Sequence, residues 1–212
     1  MNISKVKILF LFGNLLPFFQ LLVFIIGLIK ISGISNLILF SLVFIYLIPP
    51  LLFRVLHLFF QITPGAYKIS DKELLIWWYG AQLQLLFSRL PFLEELLRIP
   101  PFLYSWWLML WGAKIGKLVY WSPRVEILDR NLVEIGDRVV VGYGVKISSH
   151  LINKEKFFIA PVSIGADSVI GGEVRIAPGC VIEKNVVVKA LSVLEPLTVL
   201  KNNETDKEKT NR

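Results

Sequence analysis

The chain of 212 residues contains two histidines, His57 and His150, and one cysteine, Cys180. Imidazole titrates near pH ~6.5, so a histidine could take a proton from a hydroxyl under ordinary conditions. A single cysteine forms no intramolecular disulfide and gives no spacing for a metal cluster, so it leaves the redox compartment undetermined. His57 follows Arg54 at the end of an uncharged run and reads as an interfacial side chain. His150 lies between two stretches of a six-residue repeat. From position alone it is either a general base or a solvated turn histidine.

The elements that must hold these residues are legible in the pattern of apolar positions. Read in sixes from Ile164, the chain gives IGADSV, IGGEVR, IAPGCV, IEKNVV and VKALSV, each opening on an aliphatic residue. The fifth positions are Ser168, Val174, Cys180, Val186 and Ser192, small or β-branched residues that fit beside a neighbouring coil. An upstream set opens at Ile135, Val141 and Ile147, and another at Ile115, Trp121 and Ile127. Six is the period neither of a helix nor of a simple strand. It marks a solenoid of very short parallel strands, stacked so that each aliphatic residue lies on its counterpart in the next coil. The phase breaks twice: eight residues separate Ile127 from Ile135, and seventeen separate Ile147 from Ile164, the second gap holding a loop from Leu151 to Pro161.

The remainder is more apolar than an ordinary soluble chain. The hydrophobic content is 55% and the mean hydropathy +0.63, and the excess is concentrated at the N-terminus. Ile8 to Ile29 and Ile31 to Phe53 each lack a charged residue, with Lys30 between them, and each is long enough to cross ~30 Å of hydrocarbon as a helix. The turn-rich link from Lys30 to Asn36 predicts an antiparallel hairpin. A secretory signal would have a shorter apolar core and no second apolar run. Lys5 and Lys7 precede the pair and Arg54, Lys68 and Lys72 follow it, so the positive-inside rule puts both ends in the cytoplasm. From Asp71 to Gly112 the chain is apolar but interrupted by Arg89, Glu94, Glu95, Arg98 and three prolines. This predicts short helices lying on a membrane, with Trp77, Trp78, Trp106, Trp107 and Trp111 either in the headgroup layer or packed on the following domain. The expected divisions are a two-helix anchor at 1–62, an interfacial helical linker at 63–111, a β-helix at 112–200 and a disordered polar tail at 201–212. The net charge of +7 is scattered rather than gathered in a stripe with exposed aromatics, so an anionic membrane face is the expected partner and nucleic acid is not.

The repeat blocks, together with the order LDRNLVEIGDRVVVGYGVKISSH, a loop, and APVSIGADSVIGGEVRIAPGCVIEKNVVVKALSVL, resemble the hexapeptide-repeat acyltransferase family, in particular its maltose and galactoside O-acetyltransferase branch and polysaccharide-modifying relatives. The resemblance covers about Gly112 to Leu200. It implies a left-handed parallel β-helix assembled as a homotrimer. It further implies transfer of an acyl group, most often acetyl, from CoA to a hydroxyl of a sugar or lipid-linked envelope glycan at a bacterial inner membrane. Acyl-CoA would be a co-substrate, with no permanently bound cofactor. His150 would be the general base, and Asp129 and Ser149 would face the acceptor, Ser149 standing where many relatives carry Asn. Gly171, Gly172 and Ala190 would line the pantetheine arm. A non-catalytic trimerisation or docking module, and N-acylation of an amino sugar, share the same fold. No metal is expected, and with one histidine in the repeat region a γ-type carbonic anhydrase, which needs three as zinc ligands, is excluded.

Overall fold

A computed structural model of the chain describes residues 3–202; the expected disordered tail falls outside the described residues apart from its first two. The fold divides into two compact units, residues 1–63 with 67–90 and residues 64–66 with 91–212.

In the first unit, α1 (Ile3–Lys30) is followed by α2 (Ile34–Leu42), a π-helical turn (Val43–Leu47) and α3 (Ile48–Phe59). The widened turn comes just before Pro49 and Pro50, which bring no backbone N–H and crowd the preceding turn. Phe24 stacks on Phe40 and also touches Phe44, which sets α1 and α2 as a hairpin. Two helical stretches, Ile8–Lys30 and Ile34–Phe59, are long and apolar enough to cross a membrane, and few of their residues are buried. A strand, Gly65–Lys68, comes before α4 (Lys72–Arg89), where the sequence suggested helix. On α4, Tyr79 donates to the Leu9 carbonyl at 2.8 Å and Trp78 donates to Asn14 Oδ1 at 3.0 Å.

The second unit begins with α5 (Phe92–Arg98) and α6 (Pro101–Trp111), which ends at Gly112 in the left-handed conformation. A parallel β-helix with three faces follows. The first face holds Lys114–Ile115, Val133–Ile135, Val162–Ile164, Val181–Ile182 and Val199–Leu200. The second holds Tyr120–Trp121, Val140–Val141, Val169–Ile170 and Val187–Val188. The third holds Glu126–Ile127, Lys146–Ile147, Arg175–Ile176 and Val193–Leu194. Neighbouring strands are parallel and in phase, with Ile135 against Ile164 and Ile164 against Ile182. The stacked aliphatic residues between the end positions Ile115 and Leu200 are buried, as are Ser168, Val174, Cys180 and Val186 at the fifth positions, so the core is a column repeated along the helix.

The corners obey a rule that the residue types do not reveal. Three residues after a stacked aliphatic, the chain takes a positive φ: at Leu118, Arg124, Arg138, Asp167, Glu173, Asn185, Leu191 and Leu197, and at Gly144 and Gly179. The two exceptions follow Ile127 and Ile147, where the repeat loses phase. A second constraint is coil-on-coil contact. A Cβ on Gly171 would lie 2.4 Å from the Ala190 nitrogen, and one on Gly136 would lie 2.5 Å from the Ala166 nitrogen.

Helices α5 and α6 close the first coil. Trp121 Nε1 donates to Ser105 Oγ at 2.8 Å, and the Tyr104 ring meets Trp121 edge-on at 5.1 Å. Between helices and coil lies a buried ionic cluster centred on Glu94. Its Oε2 accepts from Arg98 Nη2 at 2.9 Å and from the Tyr104 hydroxyl at 2.6 Å, while its Oε1 accepts from Arg130. Arg98 also donates to the Val125 carbonyl at 2.6 Å. The Arg130 guanidinium lies 5.5 Å from the Trp107 ring centroid and 5.8 Å from that of Trp111. Burial first, and the Glu94 carboxylate second, push the Tyr104 hydroxyl far above its usual range, so it stays a neutral donor.

Three stability outcomes follow from these constraints. Gly171→Ala should lower the unfolding free energy of the second unit by ~1–3 kcal/mol because backbone must move to admit the methyl group. Leu191→Asn, which relieves a branched side chain at φ 64°, should be neutral or raise it by up to ~1 kcal/mol. Glu94→Ala leaves two buried guanidinium groups without their shared carboxylate and should cost ~3–5 kcal/mol. Denaturant titrations followed by tryptophan fluorescence measure all three.

Candidate functional site

The two corners that leave the repeat both follow the third face, on consecutive coils. Ile127 pairs with Ile147, so the chain runs side by side into Asp129 and Arg130 on one coil and Ser149 and His150 on the next. On the first coil a short 3-10 turn, Arg130–Leu132, absorbs the added residues. On the second, the chain leaves the column as an antiparallel hairpin, His150–Ile152 with Lys156–Ile159, and rejoins the first face at Val162. Residues at the third-from-aliphatic position elsewhere turn the corner with positive φ; here that position is filled by Arg130 and His150. One points into the helical cap and the other starts the hairpin.

Asp129 is the hinge of the arrangement. Its carboxylate is buried, and Oδ2 accepts from the Ser149 backbone N–H at 2.9 Å and lies 2.7 Å from His150 Nδ1. An ionised carboxylate only accepts hydrogen bonds, so the contact selects the imidazole form with its proton on Nδ1. Nε2 is then the basic nitrogen of the neutral ring. The His150 side chain keeps 19% of its surface exposed while the Asp129 side chain keeps 3%, the ordering expected if the ring meets another molecule and the carboxylate does not. Ser148 Oγ donates to the His150 carbonyl at 2.7 Å, which restrains the backbone that carries the ring.

The neighbouring Arg130 ties this corner to the cap, since its guanidinium is held by Glu94 and by the faces of Trp107 and Trp111. Asp129 is thus fixed from both sides, by Ser149 on the next coil and by the clamp on the residue that follows it. Sequence reasoning had named Asp129 and His150 separately. The signal for their partnership was their closeness at one corner of consecutive coils, two residues after Ile127 and three after Ile147, one place apart in register. Glu94 and Arg98 stand four residues apart on α5 and pair with each other, but their bonds to Tyr104, Val125 and Arg130 reach other elements and left no signal in the spacing.

Ser149, expected to face an acceptor, is buried, with Oγ donating to the Leu132 carbonyl at 3.0 Å; its observed bonds tie the two corners together. Gly171, Gly172 and Ala190 lie at a different corner, between the second and third faces. Gly171 has a packing reason to be glycine in its contact with Ala190, whereas a Cβ on Gly172 would meet the Tyr143 carbonyl oxygen at 3.3 Å and the Tyr143 nitrogen at 3.9 Å. Within one chain the structure therefore joins Asp129, Ser149 and His150 and leaves the glycine corner apart from them. Cys180 is buried in the core column, and burial raises its thiol pKa, consistent with a packing role. His57 stacks on Phe53 within α3, with ring centroids 4.0 Å apart. Among the described residues there is no cluster of three or more His, Cys, Asp or Glu side chains that could hold a metal ion.

No protein-family model matches the chain, and no curated protein matches it. Among solved structures, it is similar to a hexapeptide-repeat-containing acetyltransferase from Vibrio cholerae O1 biovar eltor complexed with acetyl coenzyme A, at 26% identity and a TM-score of 0.39, over 42% of this chain and 51% of that one. A second structure of a hexapeptide-repeat acetyltransferase from Vibrio cholerae matches at 26% identity and a TM-score of 0.39, over 42% and 55% of the two chains. A maltose O-acetyltransferase from Clostridium difficile 630 matches at 20% identity and a TM-score of 0.38, over 64% of this chain and 87% of that one. The chain spans about half the length of the Vibrio cholerae structures. Likenesses of this degree assign no activity, which must be argued from the corner itself.

Proposed function

We propose that the chain is a membrane-anchored acyltransferase that moves an acyl group, in the first instance acetyl, from CoA to a hydroxyl of a sugar or lipid-linked envelope glycan. The observation that carries this reading is the 2.7 Å contact between His150 Nδ1 and the buried Asp129 carboxylate, made where two consecutive coils leave the repeat. A thioester is already activated, so the protein need only make the acceptor nucleophilic. Nε2 of His150 takes the proton of the acceptor hydroxyl as that oxygen attacks the thioester carbonyl. A backbone N–H stabilises the oxyanion, the C–S bond then breaks, and the departing CoA sulfur takes the proton back from the imidazolium. Asp129 holds the ring in the required tautomer and balances the charge that forms on it.

Assembly follows from the same reading. We take the β-helix to be left-handed and the enzyme to be a homotrimer. Outward residues on the second face form an apolar column of Tyr120, Val140, Val169 and Val187, while the third face presents Glu126, Lys146 and Arg175 outward. In this reading the Gly171, Gly172 and Ala190 corner of one copy is the pantetheine groove that serves the His150 corner of a neighbouring copy. The two apolar helices anchor the enzyme in a bacterial inner membrane with both ends cytoplasmic, where membrane-bound acceptors are concentrated around it.

The reading is tested with purified full-length protein, acetyl-CoA and an extract of envelope glycans. His150→Ala should lower acyl transfer by about 10²–10⁴-fold with acetyl-CoA affinity unchanged, and Asp129→Asn should lower kcat by about 10²-fold or more. A fully active His150→Ala enzyme, or no binding of acetyl-CoA at millimolar concentration by calorimetry, contradicts it. Mass spectrometry of envelope glycans and lipids from cells with and without the gene would identify the acceptor as the species that differs by one acyl mass.

A further inference from the structure

Helix α6 is apolar on both sides. From Ile99 to Ala113 no residue is charged. Its inner side is fully packed: Tyr104, Trp107, Leu108 and Trp111 are at most 1% exposed. Its outer side, continued from α5, presents Phe92, Leu96, Ile99, Phe102, Trp106 and Met109 at spacings of three and four residues, and Ile99 and Phe102 are 78% and 75% exposed. Adjacent tryptophans show how sharply the sides divide, since Trp106 is 49% exposed and Trp107 1%. Single exposed apolar residues are ordinary, but a row of them on successive turns marks a surface that meets an apolar partner. A helix that is apolar all round belongs either in a protein core or in lipid, and α6 has a core on one side only.

The same chain supplies the argument for which partner that is. Two helical stretches long and apolar enough to span a membrane, almost unburied by protein, precede α6 by some forty residues, so a bilayer would always lie within reach of this face. The row ends in a tryptophan and a methionine, and it carries no charge that a headgroup layer would have to desolvate. We infer that the outer side of α5 and α6 docks into the boundary between headgroups and acyl chains of a phospholipid bilayer, making the cap of the β-helix a second membrane contact beyond the anchor. This inference rests on the membrane-anchored reading above. Because the inner side of the same helices carries Glu94, Tyr104, Trp107 and Trp111, the lipid contact is one side chain removed from the clamp on Arg130.

Site-directed spin labelling of the full-length protein in vesicles of phosphatidylethanolamine and phosphatidylglycerol tests the inference. Buried Cys180 should remain unlabelled in the folded protein, so labels enter at Phe102→Cys on the proposed face, at Phe18→Cys on the first apolar helix, and at Val193→Cys on the exposed third face of the β-helix. Power saturation with oxygen and with a water-soluble nickel chelate reports whether each label meets lipid or water. Docking predicts that the Phe102 label, like that at Phe18, collides several-fold more with oxygen than with nickel, and that the Val193 label shows the reverse. A Phe102 label that behaves as Val193 while Phe18 remains in lipid overturns the docking and leaves the anchor standing. Aqueous behaviour at both overturns the membrane reading as well. Shielding of the Phe102 label from both reagents, with dipolar broadening, would show a second copy covering the face and would also overturn a lipid occupant.

Discussion

Stacking of one short coil on the next is the constraint on which the β-helical unit depends. Backbones come so close at the corners that a single added carbon on Gly136 or Gly171 would overlap the neighbouring coil. Each regular corner must also turn through a left-handed residue, and most of these are not glycine. A non-glycine residue in that conformation costs roughly 1–2 kcal/mol, which is tolerated because the parallel ladders and the buried column fix the turn on both sides. A column under this constraint has little room for chemistry. Every inward position is needed for packing and every regular corner has its shape set by its neighbours.

Chemistry therefore has to be placed where the stacking rule is suspended. Two consecutive coils do this at the same edge, by adding residues after Ile127 and after Ile147. Released from the turn, Arg130 reaches into the helical cap and His150 begins a hairpin, while Asp129 remains between them, bonded to Ser149 and His150. The rigidity of the column is then useful, since a base must be held to within a fraction of an ångström to meet its substrate. The ionic cluster of Glu94, Arg98, Tyr104 and Arg130 extends that rigidity to a corner that no longer has the repeat to support it.

What could be read from the sequence divides along the same line. The six-residue phase was legible because aliphatic stacking uses a narrow set of residue types, and both phase breaks were visible as changes in spacing. The left-handed corners were not, because Leu191, Arg138 and Asn185 share a backbone conformation and no side-chain chemistry. His150 was legible as an unusual residue at a break, whereas its orienting partner was not named, although Asp129 lies at the equivalent edge one coil earlier. The segment 63–111 showed its apolar character, whereas the pairing of Glu94 with Arg130 across 36 residues left no local signal. The tryptophans of that segment were open to two readings, lipid or core, and the structure buries Trp107 and Trp111 while exposing Trp106.

The central claim is that the suspended corner holds the His150 imidazole by Nδ1 and leaves Nε2 to act as the base. Nitrogen-15 NMR of protein labelled only at histidine, with His57→Gln to leave one ring, reads this directly at a pH where the ring carries a single proton. The account predicts a protonated-type resonance for Nδ1 and an unprotonated-type resonance for Nε2, with Asp129→Asn disturbing the pattern. A ring protonated on Nε2 in the unaltered chain would contradict it.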